Sequence, residues 1–178
     1  MKISYSDLST SIKNNNGLVT ALNVLDKAIT YITIIFYLGL LIYAVSIIPE
    51  SGATLLYRSI VIPGVSFVLV SLFRKLLSAP RPYEVYGFTP ALKKDTKGKS
   101  FPSRHVFSII MVAITFLQVS PVIAVILFIL GAVLAVIRVV GGVHFVKDVI
   151  AGAAIAIIIG IICFWFFCGV LGLLVLPF

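Results

Sequence analysis

Charge is what this sequence has least of. Only 11% of its 178 residues are charged, and just six are acidic. With 61% hydrophobic residues and a mean hydropathy of +1.19, the chain lacks the polar surface that a soluble domain needs, so it reads as an integral membrane protein. Cysteine is nearly absent too. Cys163 and Cys168 both fall inside the last apolar run, with no second ligand type nearby, and read as packing residues. Residues Met1 to Gly17 are polar and offer no apolar run for a cleaved signal. No internal repeat or low-complexity segment interrupts the chain, so one membrane domain over residues 1–178 is expected.

Long apolar runs are what the sequence does have: Ile29 to Pro49, Thr54 to Phe73, Val106 to Ser120, Pro121 to Ile137 and Val149 to Pro177. They predict an all-α, polytopic bundle of about five transmembrane helices. Leu18, Leu22 and Leu25, at helical spacing, predict an interfacial helix before the first span. Pro121 marks a tight turn between the third and fourth helices, and the third is expected to begin a few residues before Val106. Gly152, Ala156 and Gly160 recur every four residues and predict close packing of the last helix on a neighbour.

Alternation of five spans brings the connections Arg74 to Arg104 and Val139 to Lys147 to one face of the membrane, where most polar residues collect. The net charge of +8 concentrates there as well. An anion is the expected visitor. Lys93 to Lys99 suit lipid head groups, whereas arginines at apolar helix ends need a better partner.

Two segments carry candidate chemistry. In "KSFPSRHVFS", Pro102 and Ser103 start a helix whose backbone N–H groups would face the loop, with the Ser103 hydroxyl, Arg104 and His105 beside them. In "GGVHFVKD", Gly141 and Gly142 let the chain reverse and let a ligand oxygen approach the backbone. His144 and Asp148, four apart, share a helix face, so that the carboxylate can hold one imidazole nitrogen and raise the basicity of the other. Both histidines therefore flank one face, among Arg81, Arg104 and Arg138. Two His and one Asp among arginines would place a metal cation in a positive field, so a bound phosphate fits better, and the membrane setting attaches it to a lipid.

These residues resemble the type 2 phosphatidic acid phosphatase family, which shares its core with bacterial acid phosphatases and vanadium haloperoxidases. The first family motif, Lys, six residues, Arg-Pro, appears as "RKLLSAPRP", with Arg74 at the Lys position and Lys75 one residue late. The second, Pro-Ser-Gly-His, appears as "PSRH", with Arg104 in place of Gly. The third, Ser-Arg, five residues, His, three residues, Asp, appears as "IRVVGGVHFVKD", with Ile137 in place of Ser. The resemblance implies that His144 is a nucleophile forming a phosphohistidine, that Asp148 orients it, and that His105 is the general acid and then the base. It implies phosphate binding by Arg74 or Lys75, Arg81, Ser103, Arg104 and Arg138, and no metal or other cofactor. The implied partner is a phosphorylated membrane lipid: polyprenyl diphosphate such as undecaprenyl diphosphate, phosphatidylglycerophosphate or phosphatidate, as in small bacterial phosphatases. A non-catalytic lipid-phosphate binding or transport protein and a phosphotransferase are the alternatives. Lysine counting would place the site in the cytoplasm, whereas resemblance to bacterial relatives turns it outward across the cell membrane, and outward is the expectation taken here.

Overall fold

The computed structural model describes residues 11–93 and 96–166. Lys94, Cys168 and the rest of the last apolar run lie outside them. The elements, in order, are α1 (Asn16–Ser46), α2 (Ile48–Ser51), α3 (Thr54–Leu77), α4 (Pro82–Tyr86), α5 (Arg104–Phe116), α6 (Pro121–Val140) and α7 (Val146–Ile161), the last continuing into a π-helical stretch, Ile162–Phe166. Among these, α1, α3, α6 and α7 with its extension are long and apolar enough to cross a membrane.

The expected interfacial helix is not a separate element. α1 runs unbroken for 31 residues, because nothing after Gly17 interrupts it and Asn15 caps its start by accepting the Leu18 N–H at 3.2 Å. Its first turns reach the loop side, where the Asn23 amide donates to the Ala91 carbonyl and accepts from the Lys93 N–H, both at 3.1 Å.

The third apolar run also differs from expectation. α5 has 13 residues, about 20 Å of helix, which falls short of a hydrocarbon core of about 30 Å. Every residue from Ile109 to Phe116 is buried, as befits a helix that is apolar all round. α5 is the axis of the bundle, contacted by α1, α3, α6 and α7.

Small residues let the sheath close on that axis. A Cβ on Gly152 would lie 2.5 Å from the Ser103 carbonyl oxygen, and one on Gly160 would lie 2.7 Å from Ile114 Cγ2. The Gly152–Ala156–Gly160 stripe therefore faces α5. At the far end, Ser120 Oγ accepts the Ile123 N–H at 3.4 Å and Pro121 opens α6, which gives the tight turn the sequence predicts. At the near end, the N–H groups of Ala91 and Leu92 both donate to the Gly141 carbonyl, at 3.1 and 3.2 Å, and so join the long loop to the short one.

Candidate active site

The joined loops collect the polar residues that an apolar bundle would otherwise exclude. Gly98 and Lys99 adopt successive left-handed conformations, φ 63° and 55°. Glycine takes this turn freely; lysine adopts it at a cost of about 1 kcal/mol. The carbonyls on this turn hold two arginines. Arg81, 3% exposed, donates Nε to Gly98 O at 3.0 Å, Nη1 to Val143 O at 2.9 Å and Nη2 to Lys99 O at 3.4 Å. Arg74, also buried, donates Nη2 to Lys99 O. Glu84 secures the turn from beneath, accepting the N–H groups of Arg81 at 2.8 Å and Gly98 at 2.9 Å. Lys75 does not join this cluster: one residue later on α3, it is exposed while Arg74 is buried.

The short loop brings His144 into the same space. Gly142, at φ 78°, reverses the chain as expected. Gly141 has another use than ligand approach: Leu92 Cγ lies 2.5 Å from where its Cβ would be, so the missing side chain makes room for the long loop. The N–H groups of Val143 and His144 both reach the Arg138 carbonyl at 3.2 Å.

Asp148 serves both the helix and the histidine. Its Oδ2 accepts the Phe145 N–H at 2.9 Å, covering an N-terminal donor of α7, and lies 3.4 Å from His144 Nδ1. The same oxygen accepts the Ser100 hydroxyl at 2.5 Å, and that hydroxyl is itself 3.5 Å from His144 Nδ1. His144 and Asp148 are each 1% exposed. Burial pushes the His144 pKa down to about 4, with Arg81 and Arg138 adding to the effect and Asp148 opposing it. The imidazole is therefore neutral at pH 7. With Nδ1 turned to the carboxylate, the proton is assigned there and the Nε2 lone pair is left to react.

The start of α5 completes the cluster. The Ser103 N–H, expected to face the loop, instead donates to the Asp148 carbonyl at 2.8 Å and fastens α5 to α7. Ser103 Oγ does not cap its helix; it is buried without a hydrogen-bond partner, as is Asp148 Oδ1. Arg104 is exposed, with its guanidinium carbon 5.2 Å from the centre of the Phe67 ring. His105, half-buried, and Arg104 line a cavity of about 350 Å³ together with Thr30, Thr33 and Leu134. A second cavity, of about 290 Å³ and nearly all apolar, shares Thr33, Ile34, Phe67 and Ser108 with it and extends between α1, α3 and α5.

Arg138 is paired differently from its neighbours. Asp26 of α1 binds it side-on, Oδ1 to Nε at 2.7 Å and Oδ2 to Nη2 at 3.0 Å. Sequence reasoning missed Asp26, Ser100, Asn23 and Glu84. Ser100, three residues before Ser103 in the motif segment, offered a signal by position; Asp26 offered only its rarity as an acid in an apolar helix. Arg74, Arg81 and Arg138, with Arg104 at the rim, outnumber Asp26, Glu84 and Asp148, so the site keeps a positive excess suited to an anion. Among the described residues, no three His, Cys, Asp or Glu side chains gather as a metal site.

No curated protein matches the sequence. Two solved structures resemble the fold over almost their whole lengths. The crystal structure of Aquifex aeolicus LpxE aligns with a TM-score of 0.58 and 25% identity, covering 91% of this chain and 99% of that one. The first transmembrane PAP2-type phosphatidylglycerolphosphate phosphatase from Bacillus subtilis aligns with a TM-score of 0.50 and 19% identity, covering 93% of each chain. The PAP2 superfamily model matches residues 53–169, which hold all three motifs. The chain belongs to the PAP2 superfamily, the type 2 phosphatidic acid phosphatases that its motifs resemble, and is a multi-pass, membrane-embedded lipid phosphatase.

Proposed function

We propose that this single membrane domain, residues 1–178, removes a phosphate from a lipid monophosphate or diphosphate through a phosphohistidine on His144. The observation that carries the reading is a buried, neutral imidazole whose Nδ1 faces Asp148 and Ser100 amid buried arginines. His144 Nε2 attacks phosphorus, the P–O bond to the lipid breaks, and His105 protonates the leaving oxygen. His105 then takes a proton from water, the water oxygen attacks phosphorus, and the P–N bond breaks to release orthophosphate. Arg74, Arg81 and Arg138 stabilise the charge on the phosphoryl oxygens, and the unpartnered Ser103 hydroxyl donates to one of them.

Arg104 at the cavity mouth suits a second phosphate, so a polyprenyl diphosphate is the favoured substrate over phosphatidylglycerophosphate or phosphatidate, with the hydrocarbon along the apolar cavity. Arg104→Gly should lower the ratio of diphosphate to monophosphate turnover; an unchanged ratio removes this preference. The orientation proposed is outward across a bacterial cell membrane. In a cysteine-free background, Lys97→Cys should react with an impermeant maleimide on intact cells, and reaction only after permeabilisation reverses the assignment.

The deciding experiment measures orthophosphate release in detergent, with chelator present, from the three lipid classes. Wild type should turn over and His144→Ala should not, and quenching with alkali rather than acid preserves labelled phosphohistidine, whose P–N bond is acid-labile. Lipid binding without turnover by the wild type, or full turnover by His144→Ala, overturns the mechanism.

A further inference from the structure

The partner of Arg138 comes from outside the segment that the family shares. The superfamily match begins at residue 53, whereas Asp26 sits on α1. The other buried arginines of the site donate to backbone carbonyls; among the described residues, Arg138 is the one of them that pairs with a carboxylate. The pairing is side-on: one Nη2–H donates to Oδ2 at 3.0 Å, and Nε lies 2.7 Å from Oδ1 as a close ion-pair contact whose N–H is not directed at that oxygen, so the second Nη2–H and the two Nη1–H donors are left for another acceptor. Arg138 also accepts the N–H groups of Val143 and His144 on its carbonyl, so one residue supports both the anion side and the loop of the histidine.

We propose that Asp26 is a positioning residue for phosphoryl transfer. It fixes the plane of the Arg138 guanidinium, so that the three remaining donors meet the phosphoryl oxygens without a search through rotamers. A fork held by a two-oxygen partner loses less freedom on binding an anion than a free side chain does. α1 is well suited to impose that plane, because Asn23, one turn earlier, is anchored to the long loop at Ala91 and Lys93. The proposal rests on the reading of Arg138 as a phosphate-holding residue.

A double-mutant cycle on kcat/KM in detergent tests it, with Tm measured for each variant and the substrate panel of the deciding experiment. Asp26→Asn, equal in size but with a single acceptor oxygen, should lower kcat/KM about tenfold and weaken inhibition by orthophosphate. Asp26→Ala should lower kcat/KM further, yet Asp26→Ala combined with Arg138→Ala should match Arg138→Ala alone within about twofold, since the carboxylate acts through the guanidinium. Multiplying losses in the double variant, or wild-type kcat/KM and orthophosphate inhibition in Asp26→Asn, would overturn the positioning role while leaving the phosphohistidine mechanism intact. Wild-type kcat/KM in Arg138→Ala would instead remove the phosphate-holding reading of Arg138, and the proposal with it. If Asp26→Ala does not fold, Asp26→Asn and Arg138→Ala still decide between these outcomes.

Discussion

Replacing His105 with glutamine leaves His144 as the single imidazole in the chain, which has two histidines in all. Labelled with ¹⁵N-histidine, this variant yields one imidazole spectrum whose titration reports His144 alone. An ordinary histidine, with a pKa of about 6.5, is roughly 97% protonated at pH 5. With its pKa pushed down to about 4, His144 should be about nine-tenths neutral at that pH. The spectrum at pH 5 should therefore remain that of a neutral ring protonated at Nδ1. The same burial links to stability. Between pH 4 and 6.5 the unfolded chain binds a proton at this position and the folded one does not, so stability falls as the pH is lowered through that window. At about 1.4 kcal/mol per pH unit, the whole window amounts to about 3 kcal/mol, which His144→Gln should abolish from the pH dependence of Tm. A protonation midpoint between pH 6 and 7 would refute the argument, because it would mean that solvent or a counter-charge, rather than burial, governs this ring.

Three further outcomes follow from contacts. Gly152→Ala should lower Tm and kcat together, because its Cβ would press on a backbone oxygen 2.5 Å away at about 1–3 kcal/mol of overpacking; Gly39→Ala, with nothing within 4 Å, should change neither. Ser100→Ala should reduce kcat about 10- to 100-fold with little change in KM, since it frees Asp148 on the side that faces His144; equal activity would show that the Phe145 N–H suffices. Arg74→Ala should abolish most of kcat/KM while Lys75→Ala keeps it, measured on the same lipid; the reverse order would reassign the first motif.

The motifs were legible because their spacing survives in local structure. A separation of four residues brings Asp148 to His144, although His144 lies in the loop just before the N-cap Phe145 and not, as expected, on a face of α7, and the glycine pair announces a chain reversal. Likewise, the small-residue stripe on α7 gave its packing partner a place before that partner was known. What could not be read came from long-range contacts or from the limits of hydropathy. Asp26 and Arg138 are 112 residues apart, and no periodicity links them. Apolar content alone does not distinguish a helix sheathed by protein from one sheathed by lipid, so α5 looked like an ordinary span. Asn15 and an unbroken run of helix-compatible residues carried α1 past the boundary drawn at Ile29. Ser103 looked like a cap from its place in the sequence, but Asp148 claims its N–H and leaves its hydroxyl to the site.

On the proposed mechanism, the shortness of α5 fixes how deep the phosphate must reach. Arg104 and His105 share a cavity with Leu134, six residues before the end of α6 and so about 9 Å along its axis. A lipid anchored in the leaflet can bring its phosphate to that level by sinking slightly, with its chains still among other chains. A small water-soluble phosphate ester has no such anchor and would have to leave bulk water and descend the same distance among lipid-facing side chains. On that reading, selection for membrane substrates is set by elevation, before any head group is recognised.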